Sequence, residues 1–199
     1  MRTKSEERRQ HILTIAAEVF CEMGFDAASM AVISARIGGS KATLYNYFSS
    51  KDELFAEVML NAANELRGDA LVLLDQDLEL KEKLRRFGLD YLKFRTSPKM
   101  VDLSRMAISH ADKAQIGVHV YERGIQKSWS KVADVLQQAI QRRQLRKNDS
   151  WQMAMQLKAL LEAEIMDKCY LCIPADLTAK TLKKYADQAI DTFLNAYNL

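Results

Sequence analysis

The sequence predicts an all-α protein, and three observations predict it. Only 7 Gly and 2 Pro punctuate 199 residues, while residues of high helix propensity dominate. Apolar positions recur at three- and four-residue steps, as one face of a helix requires, and strand-like alternation is nearly absent. The breaks between periodic segments carry helix caps, with Ser before an apolar run or Gly after one. At 48% hydrophobic and 28% charged residues, the chain has enough apolar material to bury a core.

The helices follow in order from these signals. From Ser5 to Met23, residues Ile12, Ala16, Val19, Phe20 and Met23 share one face, and Gly24 reads as the stop. Ser29 caps a short helix, Met30 to Ile37, which Gly38-Gly39 ends; Ser40 caps the next, Lys41 to Phe48. A Ser cap followed by Asp52 and Glu53 in the first turn opens a longer helix toward Leu74. Further amphipathic segments run from Leu78 to Arg95, Pro98 to Asp112, Gln115 to Leu145, Ser150 to Cys172 and Ala175 to Tyr197. Pro98 suits a first helical turn, Arg146-Lys147-Asn148-Asp149 reads as a turn, and Pro174 closes the segment before it.

Several classes are excluded or disfavoured. No apolar run approaches the ~18 residues of a membrane span, and no apolar signal region follows the charges of the first nine residues. Three cysteines, Cys21, Cys169 and Cys172, are too few and too odd in number for a disulfide framework, so a cytoplasmic protein is expected. The net charge is +3, yet residues 1–55 carry seven Lys and Arg against seven Asp and Glu. Any nucleic-acid reading must therefore rest on charge placement and motif.

That motif is present. Two short helices joined by a glycine-containing turn form a helix-turn-helix, whose second helix lies in the DNA major groove. Here Lys41, Thr43, Tyr45, Asn46 and Tyr47 offer an ammonium, a hydroxyl, two phenols and an amide within seven positions, a surface suited to phosphates and base edges. Leu44 and Phe48, four apart on the opposite side, would anchor the helix to Ile33, Ile37 and Phe20. The alternative is a small helical cap whose aromatics merely pack.

The run Ile33-Ser34-Ala35-Arg36-Ile37-Gly38-Gly39-Ser40-Lys41-Ala42-Thr43-Leu44-Tyr45-Asn46-Tyr47-Phe48, continued by Ser50-Lys51-Asp52-Glu53-Leu54-Phe55, resembles the DNA-reading unit of the TetR regulators. The first helix is similar too, with Ile12, Ala16, Phe20, Gly24 and Phe25 in register. Two positions depart from the pattern: Gly39 stands where an apolar residue is usual, and Ile37 where Ala is. The resemblance implies a DNA-binding domain at residues 1–55 and a ligand-binding and dimerisation domain at residues 56–199. It implies that Ser29, Thr43, Tyr47 and Lys51 hold the DNA backbone, while Lys41, Ala42, Tyr45 and Asn46 lie nearest the bases; Ser40, at the start of the recognition helix, completes the set. Arg2, Lys4, Arg8 and Arg9 would reach the adjacent minor groove or phosphates, or else form a solvated tail.

Within the body, Phe87, Tyr91, Phe94, Met106, His110, Trp129 and Met155 read either as the lining of an effector cavity or as plain core. Residues 98–199 look similar to the AcrR/AefR-like branch that controls multidrug efflux. The stripes Leu157, Leu161, Ile165 and Tyr185, Ala189, Phe193 would pair with a second copy in a four-helix interface, as the resemblance implies. Cys169 and Cys172 share a helical face, but no second cysteine pair and no histidine spacing turns them into a metal site. The expected partners are double-stranded operator DNA, a second copy and a small apolar effector, with no membrane, cofactor or metal. The expected function is a homodimeric repressor of a palindromic operator that the effector releases. A helical enzyme would need a nucleophile with its base, paired carboxylates or a metal cluster, and no such motif is found. A helical adaptor using the N-terminal unit for protein contacts is the other alternative.

Overall fold

Helix α1 (Lys4–Ala27) follows the predicted periodicity and breaks where Gly24 takes φ 75° and ψ 167°, a conformation open to glycine. The computed structural model describes residues 4–112 and 116–199. Among these, α2 (Met30–Ile37), α3 (Lys41–Tyr45), α4 (Lys51–Leu73), α5 (Leu80–Arg95), α6 (Pro98–Ser109) and α7 (Ile116–His119) follow in order. A π-helical segment, Val120–Gln126, continues α7 into α8 (Lys127–Gln141). The chain ends in α9 (Ser150–Glu162), α10 (Met166–Tyr170) and α11 (Ala179–Tyr197). The fold is all-α; the one extended pairing among the described residues is an isolated bridge of Leu145 with Asn198. No helix of the described residues is long and apolar enough to cross a membrane.

The departures from the predicted elements have local causes. The third helix stops at Tyr45, because the Tyr47 and Phe48 N–H groups both reach back to the Leu44 carbonyl, each at 3.1 Å, and tighten the turn. The predicted segment from Ser150 to Cys172 is two helices, interrupted at Ile165, whose φ of −130° is not helical. α11 begins at Ala179, four residues late, because Asp176 accepts the Thr178 N–H at 2.9 Å and Thr178 then caps the helix. Gln115, the predicted start of a long helix, lies outside the described residues. That helix also holds the π-helical segment and ends early, where Arg143 turns left-handed at φ 57°.

The helices form two units. One comprises the described residues of Met1–Ala63 and Asp102–Gly124; the other comprises Asn64–Val101 and Ile125–Leu199. The division expected after residue 55 runs through α4, which continues from one unit into the other.

The second unit is held by α5, α8, α9 and α11 around a shared core. Phe87 and Tyr91 stack at 5.9 Å, and Trp129 meets them edge-on at 5.6 and 5.1 Å. Beside them lies a half-buried polar network. The Tyr91 hydroxyl donates to Glu162 at 2.5 Å, Lys158 Nζ donates to its other oxygen at 2.5 Å, and Arg95 Nε donates at 3.1 Å while also reaching the Tyr170 hydroxyl. Burial pushes the Glu162 carboxyl up, but Arg95 and Lys158 outweigh it, with hydrogen bonds from Lys158 and Tyr91, and hold it below its ordinary 4.5.

This packing places five of the six residues expected at the dimer interface inside the chain's own core. Leu157, Leu161 and Phe193 are fully buried, Ile165 and Ala189 nearly so, all within the single chain's core, and Tyr185 packs against that core from its edge. An amphipathic stripe has the same spacing whether it faces a core or a partner, and here it faces the core.

Two predictions follow from these arrangements. Gly38 ends α2 in the left-handed region, at φ 70°, whereas a Cβ at Gly39 would meet the far end of the Arg8 side chain at 3.2 Å and Ile37 Cγ2 at an ordinary 4.0 Å. Urea unfolding should therefore show Gly38→Ala destabilised by about 1–2 kcal/mol and Gly39→Ala stabilised by about 0.4–1 kcal/mol. For Glu162, a carboxyl whose pKa is lower folded than unfolded contributes stability above the unfolded value and loses it as pH falls through the folded one. The stability advantage of wild type over Glu162→Gln should thus shrink between about pH 5 and about pH 3 in chemical denaturation, and a constant advantage would contradict the network.

Candidate nucleic-acid interface

The first unit is built so that one short helix shows its polar side to solvent. Phe20, Phe25 and Phe55 form a cluster with ring separations of 5.9, 5.1 and 5.2 Å, which joins α1, the segment after Gly24 and α4. Ile12, Ala16, Ile33 and Ile37 complete its floor. From α3 and the turn after it Leu44 and Phe48 point inward, 2% and 1% exposed, Leu44 beside Ile12 and Ile37. The opposite side of α3 follows from helical spacing: Lys41, Ala42, Tyr45 and Asn46 are exposed, and Thr43 and Tyr47 half-buried.

The serines among the predicted site residues cap helices. Ser29 accepts the Val32 N–H at 3.2 Å, and Ser40 accepts the Thr43 N–H at 3.1 Å. The Ser40 and Thr43 hydroxyls share a hydrogen bond of 2.9 Å, so one of the two O–H groups is left to donate elsewhere. The turn between α2 and α3 is closed by Gly38, whose N–H reaches the Ala35 carbonyl, and by the buried Ser34 hydroxyl, which donates to the Gly39 carbonyl at 2.8 Å. Ser50 caps α4 through the Glu53 N–H at 3.0 Å. The Glu53 carboxylate in turn accepts from the Ser49 hydroxyl and N–H, which hold its pKa below the usual value.

The cations are more committed than the sequence suggested. Lys51 Nζ donates to the Phe25 carbonyl at 2.8 Å and lies 4.3 Å from the Phe25 ring centroid, with the Asp26 carbonyl at 3.4 Å. Two of its three N–H donors are thus directed at the end of α1. Arg36 pairs with Glu22 at 2.5 Å. Residues Lys4 to Arg9 are the opening turns of α1 rather than a tail, and Arg9 is bound to Glu57. Arg8 sits beside Gly39 in a shallow recess lined also by Ile12, Ser34, Ile37 and Leu44, the space an apolar side chain at position 39 would fill. Arg2 lies outside the described residues.

The predicted effector residues fall in both units. Phe87, Tyr91 and Trp129 are buried together in the second unit, with Phe94 and Met155 packed at the edge of the same core. Met106 and His110 belong to the first unit. The His110 ring lies tilted against Phe25 at 4.6 Å, and its Nε2 is 3.3 Å from an Asp26 carboxylate oxygen. Sequence reasoning missed Arg95, Lys158, Glu162 and Tyr170, the polar network around Tyr91. The spacing of Tyr91 to Arg95 and of Lys158 to Glu162, four residues each, placed each pair on one helical face, but nothing in sequence joins positions about seventy residues apart. Burial pushes the Cys169 thiol up, and no group of three His, Cys, Asp or Glu among the described residues is arranged to hold a metal ion.

Residues 12–58 match the bacterial regulatory proteins of the tetR family, and residues 82–199 match the C-terminal domain of AefR-like transcriptional repressors. The chain is 37% identical over 84 residues to the HTH-type transcriptional activator FasR of Mycolicibacterium smegmatis, covering 42% of this chain and 38% of that one, so it spans well under half of that relative's length. A crystal structure of a TetR-family regulator from Mesorhizobium loti covers 100% of both chains with a TM-score of 0.89 at 25% identity. The flavonoid-responsive regulator FrrA covers 96% of this chain and 97% of its own, with a TM-score of 0.76 at 28% identity. The fold, the helix-turn-helix and the matches at both ends agree: the chain belongs to the TetR family of transcriptional regulators.

Proposed function

We propose that this protein is a ligand-responsive repressor that binds a near-palindromic operator as a homodimer. The observation that carries the reading is α3 itself. A helix with Lys41, Ala42, Tyr45 and Asn46 exposed on one side and Leu44 and Phe48 buried on the other presents donors and acceptors at a protruding turn. In a major groove, Asn46 would read adenine edges and Lys41 guanine edges or phosphate, while the hydroxyls of Ser29, Ser40, Thr43 and Tyr47 and the remaining donor of Lys51 would hold the backbone. The match of residues 82–199 to repressors of AefR type supports the sign of regulation and that branch of the family.

The effector would be a small aromatic or otherwise apolar molecule received beside Phe87, Tyr91, Phe94, Trp129 and Met155. FrrA is flavonoid-responsive, which supports a ligand of that character. Its binding would favour a conformation in which the two recognition helices no longer match the spacing of the half-sites.

With the two stripes buried, a second copy would need another surface. The segment after α10 supplies one, since Leu171 and Ile173 are 70% and 51% exposed and Leu177 also reaches solvent. Replacing Leu171 and Ile173 with Asp should shift the protein from dimer to monomer in light scattering at unchanged helical content, and an unchanged mass would remove this surface from the interface.

Selection of duplexes from a random pool by purified protein, at two salt concentrations, tests the function. The expected result is an enriched inverted repeat whose affinity falls steeply with salt. Asn46→Ala and Tyr45→Phe should change the preferred bases, whereas Lys51→Ala should weaken all duplexes alike and lower stability as well. No enrichment, or identical selected sites in all variants, would contradict the assignment.

A further inference from the structure

The chain leaves the first unit at Gly124 and enters the second at Ile125, inside the π-helical segment Val120–Gln126. A π-helix bonds i to i+5, one residue more per turn than an α-helix, and is held only where its surroundings favour it. Two contacts in the first unit meet that need. Gly124 is buried, with Leu60 Cδ2 of α4 3.8 Å from where a Cβ would stand, and Arg123 Nη1 lies 2.7 Å from Glu57 Oε1, also on α4. Glu57 is itself largely buried, its side chain 13% exposed, and its second oxygen accepts from Arg9 of α1. The Arg9 guanidinium lies 5.3 Å from the centroid of Phe48, the residue that seats the recognition helix. One carboxylate therefore holds two arginines, one from the π-helical segment and one stacked on the anchor of α3.

We propose that Glu57 is a positioning residue for DNA reading, keeping Arg9 on Phe48 and away from phosphate, and that the π winding of Val120–Gln126 controls it by placing Arg123. The inference rests on the DNA-reading function proposed above and names its regulation. Removing one residue's worth of winding rotates the following side chains by about 100° relative to those before them and carries Arg123 off the carboxylate. Arg9 then has Glu57 to itself, its place over Phe48 changes, and so does the seat of α3. A change at the start of α8, where Trp129 joins the aromatic core of the second unit, is carried by the chain itself to Arg123, and from there by the two ion pairs on Glu57 to the recognition helix.

The test compares wild type, Glu57→Gln, Arg123→Ala and Arg123→Lys on the selected operator and on an unrelated duplex of equal length, across salt. Glu57→Gln is expected to lower the ratio of operator to unrelated affinity about tenfold. It should also steepen the salt dependence on the unrelated duplex by about one phosphate contact, because Arg9 is released. Arg123→Ala should lower the ratio in the same direction, Arg123→Lys should restore most of it, and amide hydrogen exchange at residues 41–48 should quicken in Glu57→Gln and Arg123→Ala. A role confined to stability would lower Tm and weaken both duplexes in parallel, leaving the ratio intact. That result overturns the proposal, as does an unaltered ratio and exchange in Arg123→Ala, a substitution at a side chain 53% exposed that leaves the core intact. A wild-type protein that prefers no duplex overturns instead the DNA-reading function on which the proposal stands.

Discussion

A helix of five residues cannot hold its own shape, since forming the first turn fixes several residues for a single hydrogen bond. The recognition helix α3 is of that length, so its geometry is imposed by what it is pressed against. Leu44 and Phe48 supply the imposition, each fully buried side chain contributing about 1.5–3 kcal/mol. The rest of the first unit surrounds that seat: the Phe20, Phe25 and Phe55 rings pack on one another, Gly38 permits the sharp turn, and the serine caps satisfy backbone groups that a short helix leaves open. The exposed row of Lys41, Ala42, Tyr45 and Asn46 is the geometric consequence of burying the other side.

The cations around α3 show how such a unit divides labour. Lys51 closes the carbonyl end after α1 while keeping one donor in hand, and Arg9 is held by a carboxylate instead of extending toward solvent. Binding strength toward a polyanion is therefore not a matter of net charge, which is close to zero over residues 1–55, but of which ammonium and guanidinium groups remain uncommitted. In the second unit the same economy takes another form. Buried Tyr91 and half-buried Arg95, Glu162 and Lys158 bond to one another, so the charges that join α5 to α9 each have a partner.

Much of the first unit was legible in the sequence. Ser29 and Ser40 each mark a helix start to the residue, a serine before Asp52 and Glu53 marks the next to within one residue, Gly24 and Gly38 mark breaks that need positive φ, and the four-residue spacing of Leu44 and Phe48 gives the buried side of α3. These signals are local, so the sequence carries them directly. What escaped depends on residues distant in sequence or on packing. The π winding of Val120–Gln126 has no residue signature, because contacts across helices hold it. The stripes Leu157, Leu161, Ile165 and Ala189, Phe193 were readable as amphipathic, but their spacing does not say whether a partner or the chain's own core covers them. His110 and Met106 were grouped with Phe87 and Trp129 by residue type, and the fold assigns them to different units.

If two copies of α3 read DNA together, as proposed, an operator duplex carrying both half-sites must differ from duplexes carrying one. The expected result is two chains per full duplex, half-sites about 34–36 Å apart or a multiple of that spacing, and an affinity for the full site far above that for either half. Equal affinity for full and half sites, or one chain per duplex, would contradict it.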